Sequence, residues 1–323
     1  MSGINESLKL IILPTEECNF RCKYCYEHFE IGKMWENVVW GVKNLIDQRS
    51  QNLKNLRLDW FGGGPLLAFD IIQEVMNFAR KKSREFNFEL SSGMTTNASL
   101  LTKQRQMQLI DMGIAKYQIS FDGDSDLHNR FRVTRRDTST FDIIYKNLID
   151  FHESELNAHI VIRLHVNKDN EKSLRSLINR ISLDFENDNR FSIFIRGLER
   201  LGSANDDTLP ILDNEEEKHD LIKSTQEYTR SLGLSLYGHE SAETPVCYAA
   251  SFNSWVIRAT GDVSKCTVAL YDKINTVGHL SEDGKIKIDK EKLEYWLRGQ
   301  FSGNKEELYC PYSVNLNRNY IYS

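Results

Sequence analysis

From Leu8 to about Gly197, short runs of alternating apolar and polar residues take turns with stretches in which apolar residues recur every three or four positions. Period two is the mark of a strand, and the three-to-four spacing that of a helix with one buried face. The pattern predicts six strands: Lys9 to Leu13, Leu56 to Phe61, Phe88 to Thr95, Lys116 to Phe121, His159 to Val166 and Phe191 to Arg196. Between them lie helical stripes such as Trp35, Val38, Val42, Leu45 and Ile71, Ile72, Val75, Met76, Ala79. Regular alternation of this kind builds an α/β fold with a parallel sheet and crossover helices.

Strand parity narrows the architecture. Tyr117, Ile119 and Phe121 point one way while Gln118, Ser120 and Asp122 point the other, and Arg163, His165 and Arg196 occupy the minority face of the last two strands. In a doubly wound sheet both faces are covered, and such charges would be costly; a barrel lumen that holds a polar molecule can use them. Six units leave the barrel incomplete, with a lateral opening. The expectation is a partial (β/α)6 barrel over residues 1–205, then an acidic linker running into a helix from about Asn214 to Leu232 (206–236). The style changes in 237–323, where Ser254 to Ala259, a Thr260-Gly261-Asp262 turn, Val263 to Val268 and Thr276 to Leu280 read as hairpins.

Charge adds little: 41 Lys and Arg against 46 Asp and Glu give −5, too mild and mixed to argue for nucleic acid or a membrane surface. No stretch near the start is long enough to span a bilayer, and the chain reads as cytoplasmic. In that compartment six cysteines point to metal or catalysis before disulfides. Three fall within eight residues, as Cys18, Cys22 and Cys25, and Cys247, Cys266 and Cys310 lie in the last quarter. Two thiolate sites are implied.

The first triplet leaves a strand on one loop, with intervals of three and two residues. Three thiolates wrap three corners of an iron-sulfur cubane and leave the fourth iron open. A zinc site would need a fourth ligand, for which His28 is the nearby candidate. The motif, with Tyr24 before the last Cys, resembles that of the radical S-adenosylmethionine (SAM) superfamily. The resemblance implies a 4Fe-4S cluster that binds SAM through its open iron and cleaves it reductively to a 5′-deoxyadenosyl radical. It continues along the chain. Gly62-Gly63-Gly64-Pro65, after the second strand, resembles a Gly-Gly-Glu-Pro segment whose backbone meets the SAM amino group, with Gly64 in place of Glu. Thr96 and Asn97 after the third strand, and Ser120 and Asp122 at the end of the fourth, resemble segments lining the SAM ribose. His128-Asn129-Arg130-Phe131-Arg132 resembles a following stretch in which Arg132 would take a SAM-carboxylate or structural role. Ser99 as a helix cap and an Asp122-Gly123 turn are the plainer readings of two of these.

In the tail, Cys247, Gly261 and Cys266 are spaced like the opening of the SPASM and Twitch auxiliary-cluster domains, and Cys310 is the one further thiol. That allows one auxiliary 4Fe-4S cluster, not two, with its fourth ligand open to substrate or to a side chain such as His239 or His279. Buried core thiols, or zinc with a histidine, are the alternatives. With all six cysteines on iron, no thiol is left to quench a substrate radical, which favours an oxidative outcome. The resemblance implies a peptide-modifying maturase acting on a ribosomally made precursor. Its partners would be a flavodoxin or ferredoxin as electron donor, with the leader peptide recognised by a separate binding protein or by the barrel's open side. A Twitch-type sugar or aminocyclitol dehydrogenase, a sulfatase-maturing enzyme and a non-catalytic iron-sulfur protein are the rivals.

Overall fold

A computed structural model describes residues 6–238 and 246–312. Five βα repeats come first: β1 (Ser7–Ile12), α1 (Glu36–Ser50), β2 (Asn55–Trp60), α2 (Phe69–Phe86), β3 (Glu89–Thr95), α3 (Lys103–Asp111), β4 (Ile114–Phe121), α4 (Ser125–Phe131), α5 (Phe141–His152), β5 (His159–Val166) and α6 (Glu171–Asp184). A sixth follows, β6 (Phe191–Gly197) and α7 (Glu215–Ser231). The tail holds β7 (Ser254–Ile257), β8 (Asp262–Ser264), β9 (Thr276–Leu280), β10 (Ile286–Ile288), α8 (Lys290–Ser302) and α9 (Lys305–Tyr309). The described residues gather into two compact units, one of 6–18, 27–93 and 246–312, the other of 19–26 and 94–238.

In the first unit the strand order is β10-β9-β8-β7-β1-β2-β3. β1 lies parallel to β2 on one side and to β7 on the other, and β7 to β10 continue as antiparallel hairpins. This central position explains why Leu8, Leu10, Ile11 and Ile12 are all buried: a strand covered on both faces reads as an apolar run. α1 and α2 pack together, burying Val38, Val42 and Leu45 of one and Ile71, Ile72, Val75, Met76 and Ala79 of the other, the stripes read from the spacing. Trp35 departs from its stripe: it is the residue before α1 and is 54% exposed.

The second unit carries β4, β5 and β6 side by side and parallel. α7 packs on β5, β6 and α6, with the Asn214 side chain capping it through the Glu216 and Glu217 amides at 2.9 and 3.2 Å.

The tail hairpin is shorter than the pattern predicts. β8 ends at Ser264 because the Asn275 side chain takes over the backbone groups that follow. Its Oδ1 accepts from the Lys265 and Cys266 amides, and its Nδ2 donates to the Cys266 and Ala269 carbonyls. A buried backbone thus satisfied has no need of a neighbouring strand. Gly261 holds the turn with φ +89°.

His128, in α4, is fully buried: Nε2 lies 3.2 Å from Thr140 Oγ1, and among the described residues Nδ1 has no hydrogen-bond partner. Burial, then the charge of Arg132, pushes its pKa down to about 3. An unfolded histidine takes a proton near pH 6.5 and the folded one does not until about pH 3, so this contribution to stability is complete above 6.5 and is lost as pH falls towards 3. The expected slope from this one group is about 1.4 kcal/mol per pH unit. Urea unfolding at stepped pH values from 7 to 4 measures it; an unchanged slope in His128→Gln would contradict the assignment.

Candidate cluster and cofactor site

In the first unit the loop after β1 is pinned before it reaches Cys18. Glu16, 1% exposed, accepts from Arg258 Nε (3.1 Å), from Arg258 Nη2 and from the Ala259 amide (3.2 Å), while Arg258 Nη1 donates to the Leu270 carbonyl (2.8 Å). This pair escaped the motif reading because 242 residues separate its members. Below it lies the glycine run. Gly62 (φ +82°) and Gly63 (φ +43°) are left-handed, and a Cβ on Gly63 would overlap the Glu17 carbonyl. The Gly64 amide donates to that same carbonyl at 2.8 Å, and Pro65 opens a short turn to Ala68. The Gly63 amide donates to Glu27 Oε2 at 2.7 Å. Burial pushes the Glu27 carboxyl up to about 7, against the pull of that amide. His28 stacks on Tyr271 with ring centres 3.7 Å apart.

In the second unit Cys22 and Cys25 sit on a turn closed by the Cys25 amide on the Cys22 carbonyl (3.0 Å). The turn is clipped to the end of α4 and the residues after it by Arg21 N–H to Val133 O (2.7 Å) and Lys23 N–H to Phe131 O (2.8 Å). That clip brings three expected residues together. Arg132 Nη1 donates to Tyr24 Oη (2.6 Å), the Tyr24 hydroxyl donates to Asp122 Oδ2 (2.9 Å), and His165 Nδ1 donates to Asp122 Oδ1 (2.8 Å). Burial alone would raise the Asp122 carboxyl; the His165 hydrogen bond, then the His165 and Arg132 charges, outweigh it and hold it below the usual range. His165 is pushed down by burial and by Arg163, against the upward pull of Asp122. Asn170 donates to the carbonyls of Asp122 (3.0 Å) and His165 (2.6 Å), locking both.

Asn97 donates to Asn19 (2.9 Å), inside the cysteine motif, and Asn19 donates to Ser99 (2.9 Å). Ser99 therefore belongs to this amide cluster, and the cap of α3 is Thr102 instead. Thr96 Oγ1 accepts the Ala98 amide (3.1 Å), and Ser120 is half-buried on β4 in register with Arg163. Arg163 lies under the ring of Phe194, and Arg196 reaches Glu199 at 3.8 Å.

The three tail cysteines are all thiols and lie close enough for charge on one to act on the others. The Ala249 and Ala250 amides turn towards Cys247, and the Val268 and Ala269 amides towards Cys266, with Val268 N–H to Sγ at 3.3 Å. Burial still pushes both thiols up, Cys266 to about 11. His279 pairs with Asp262 at 3.3 Å on the exposed hairpin, and His239 lies outside the described residues.

A family model, the radical SAM superfamily, matches residues 12–181, more than half of the 323. The chain belongs to the radical SAM superfamily. With the family come its cofactors, a 4Fe-4S cluster and SAM, and its standing as an enzyme. An uncharacterized protein of Methanocaldococcus jannaschii is 22% identical over 88% of this chain and 92% of its own length. The cysteine-type anaerobic sulfatase-maturating enzyme of Clostridium novyi is 24% identical over 52% of this chain, and the PqqA peptide cyclase of Bradyrhizobium diazoefficiens 24% over 36%. These two are spanned over only 47% and 29% of their lengths. Among solved structures, native anSMEcpe with bound AdoMet and Cp18Cys peptide superposes at TM-score 0.66 with 18% identity, covering 89% of this chain and 80% of that one. Streptococcus suis SuiB bound to precursor peptide SuiA gives 0.62 and 16%, covering 93% and 67%. Those likenesses establish the α/β partial-barrel fold of radical SAM enzymes.

The residues fit the radical SAM cofactors. Left-handed glycines bare a stretch of backbone beside the loop that carries Cys18, the Cys22–Cys25 turn presents two further thiols, and the tail thiols receive amide hydrogen bonds of the kind that neutralise cluster sulfur. Among the described residues, no helix is long and apolar enough to cross a membrane.

Proposed function

We propose that this radical SAM enzyme oxidatively modifies a ribosomally made peptide, installing a crosslink, with one auxiliary 4Fe-4S cluster in residues 237–323. When bound, the cluster and SAM supply a carbon radical able to take hydrogen from an unactivated C–H bond. Cys18, Cys22 and Cys25 would hold the SAM-cleaving cluster. The backbone of Gly62, Gly63, Gly64 and Pro65 would meet the methionine part of SAM, and Thr96, Asn97 and Ser120 its ribose side. In the Tyr24-Asp122-Arg132 network, Asp122 is kept ionised and Arg132 cationic, ready for a carboxylate.

The gathering of Cys247, Cys266 and Cys310, the first two under inward-turned amides, carries the oxidative half of the proposal. Amide hydrogen bonds stabilise sulfur charge, and a cluster held by Cys247, Cys266 and Cys310 would supply an acceptor for an electron from the substrate. The peptide half is supported by relatives named for peptide or protein substrates. The reconstituted protein, reduced anaerobically with SAM and a synthetic peptide encoded beside its gene, is expected to give 5′-deoxyadenosine and a peptide lighter by a pair of hydrogen atoms. 5′-Deoxyadenosine with an unchanged peptide would refute the peptide substrate. Flavodoxin or ferredoxin in place of the chemical reductant tests the expected electron donor.

A further inference from the structure

Five non-glycine residues among those described have φ in the left-handed region. Asn87, Asp137 and Asn187 are exposed residues of the types that tolerate it, and Phe29 is half-buried. Ala98 alone of the five is fully buried, at φ +60°, and its methyl group can make no hydrogen bond in return. A residue so placed persists only where its surroundings hold it there. Here the hold comes from two helices of the second unit. Asn147 of α5, 4% exposed, donates from Nδ2 to the Ala98 carbonyl at 2.7 Å. Gln106 of α3, fully buried, donates from Nε2 to the Asn147 carbonyl (2.8 Å) and to the Leu101 carbonyl (2.9 Å). Gln106 Oε1 has no hydrogen-bond partner among the described residues, so this amide sits in the core at a cost to stability.

The loop that they grip follows β3. Thr96 Oγ1 accepts the Ala98 amide, and Asn97, Asn19 and Ser99 form a closed ring: Asn97 donates to Asn19, Asn19 to Ser99 and the Ser99 hydroxyl to Asn97 Oδ1, each at 2.9 Å. We infer that Asn147 and Gln106 are positioning residues of the SAM site: they keep Ala98 left-handed, and the turn at Ala98 sets the places of Thr96 and Asn97. The inference rests on the reading that Thr96 and Asn97 line the ribose side of SAM. It adds two side chains from helices that carry no residue of the motifs, and they act through Ala98.

The test measures binding, with cluster content read by iron assay on the same samples. SAM and its analogue lacking both ribose hydroxyls are titrated by equilibrium dialysis into the reconstituted parent, Asn147→Leu, and Asn147→Leu combined with Ala98→Gly. Leucine keeps the helix and the side-chain volume and removes the donor to Ala98. Loss of that one buried hydrogen bond is expected to weaken SAM about 10-fold and the dideoxy analogue far less, so that the preference for SAM collapses. Glycine holds φ +60° without support, so adding Ala98→Gly should restore most of the preference, which a general loosening of the core would not allow. If Asn147→Leu weakens both ligands equally, or neither, or if glycine restores nothing, the inference is overturned. Should Asn147→Leu fail to fold, Gln106→Met, which removes the donors to Asn147 and Leu101, is put through the same two measurements and decides by the same outcomes. A parent that binds both ligands equally would overturn the ribose reading, and this inference with it, a result distinct from the others because it appears before any substitution.

Discussion

Replacing Cys18, Cys22 and Cys25 together with Ala is expected to abolish 5′-deoxyadenosine formation and to lower the iron of the reconstituted chain from about eight to about four per molecule. The reciprocal variant, with Cys247, Cys266 and Cys310 changed to Ala, should also keep about four irons but still cleave SAM, losing only the peptide product. Such a result would divide the work as proposed, the first triplet holding the cluster that cleaves SAM and the second a cluster that would take up an electron. Equal loss of cleavage in both variants would contradict that division, and a parent holding only about four irons would remove the auxiliary cluster. Serine is avoided because an alkoxide can stand in for a thiolate ligand.

The second large effect is expected at Gly63. A side chain there meets two costs. The left-handed conformation, φ +43°, is unfavourable for an L-residue by about 1–2 kcal/mol, and the new Cβ would overlap the carbonyl oxygen of Glu17, a backbone atom that cannot swing aside. Something must shift, and the loop that moves is the one leading into Cys18. Gly63→Ala should therefore load the SAM-cleaving cluster poorly, with iron falling towards that of the N-terminal triple variant, while Gly64→Ala, one residue on at φ −122°, loads as the parent does. Equal iron in the two alanine variants would show that the backbone conformation is not what matters. The pair is a sharper probe than either alone, because length, charge and position are nearly constant while the sign of φ and the Cβ overlap with Glu17 change together.

Much of this was readable in the chain before any coordinates. The six parallel strands follow from period-two runs, and their ends differ from expectation by a residue or two, as in β4, which begins at Ile114 and not at Lys116. Parity on β4 marked Asp122 as facing the same side as Ser120, and the structure gives it the Tyr24 and His165 partners that such a buried carboxylate requires. What was not readable depends on side chains that act as backbone. Asn275 ends β8 early by imitating a neighbouring strand, and no hydropathy pattern signals that. β10, α8 and α9 were missed because β10 is three residues long and the helices are strongly charged, as in Lys290-Glu291-Lys292. Glu16 with Arg258, and Glu27 with Gly63, are pairings between distant parts of the chain, and a motif read along the sequence sees each residue without its partner.

The parallel pairing of β1 with β7 has a consequence for how the protein is made. Lys9 to Ile12 align with Ser254 to Ile257, so β1 is made some 240 residues before the strand that covers its second edge. Until then it offers an apolar, half-paired strand to any passing chain, and Glu16 sits beside it without its guanidinium. The Cys18 loop hangs from that same strand. Iron therefore enters a scaffold finished late in synthesis, and growth at low temperature with slow induction should raise the soluble, cluster-competent fraction more than added iron does.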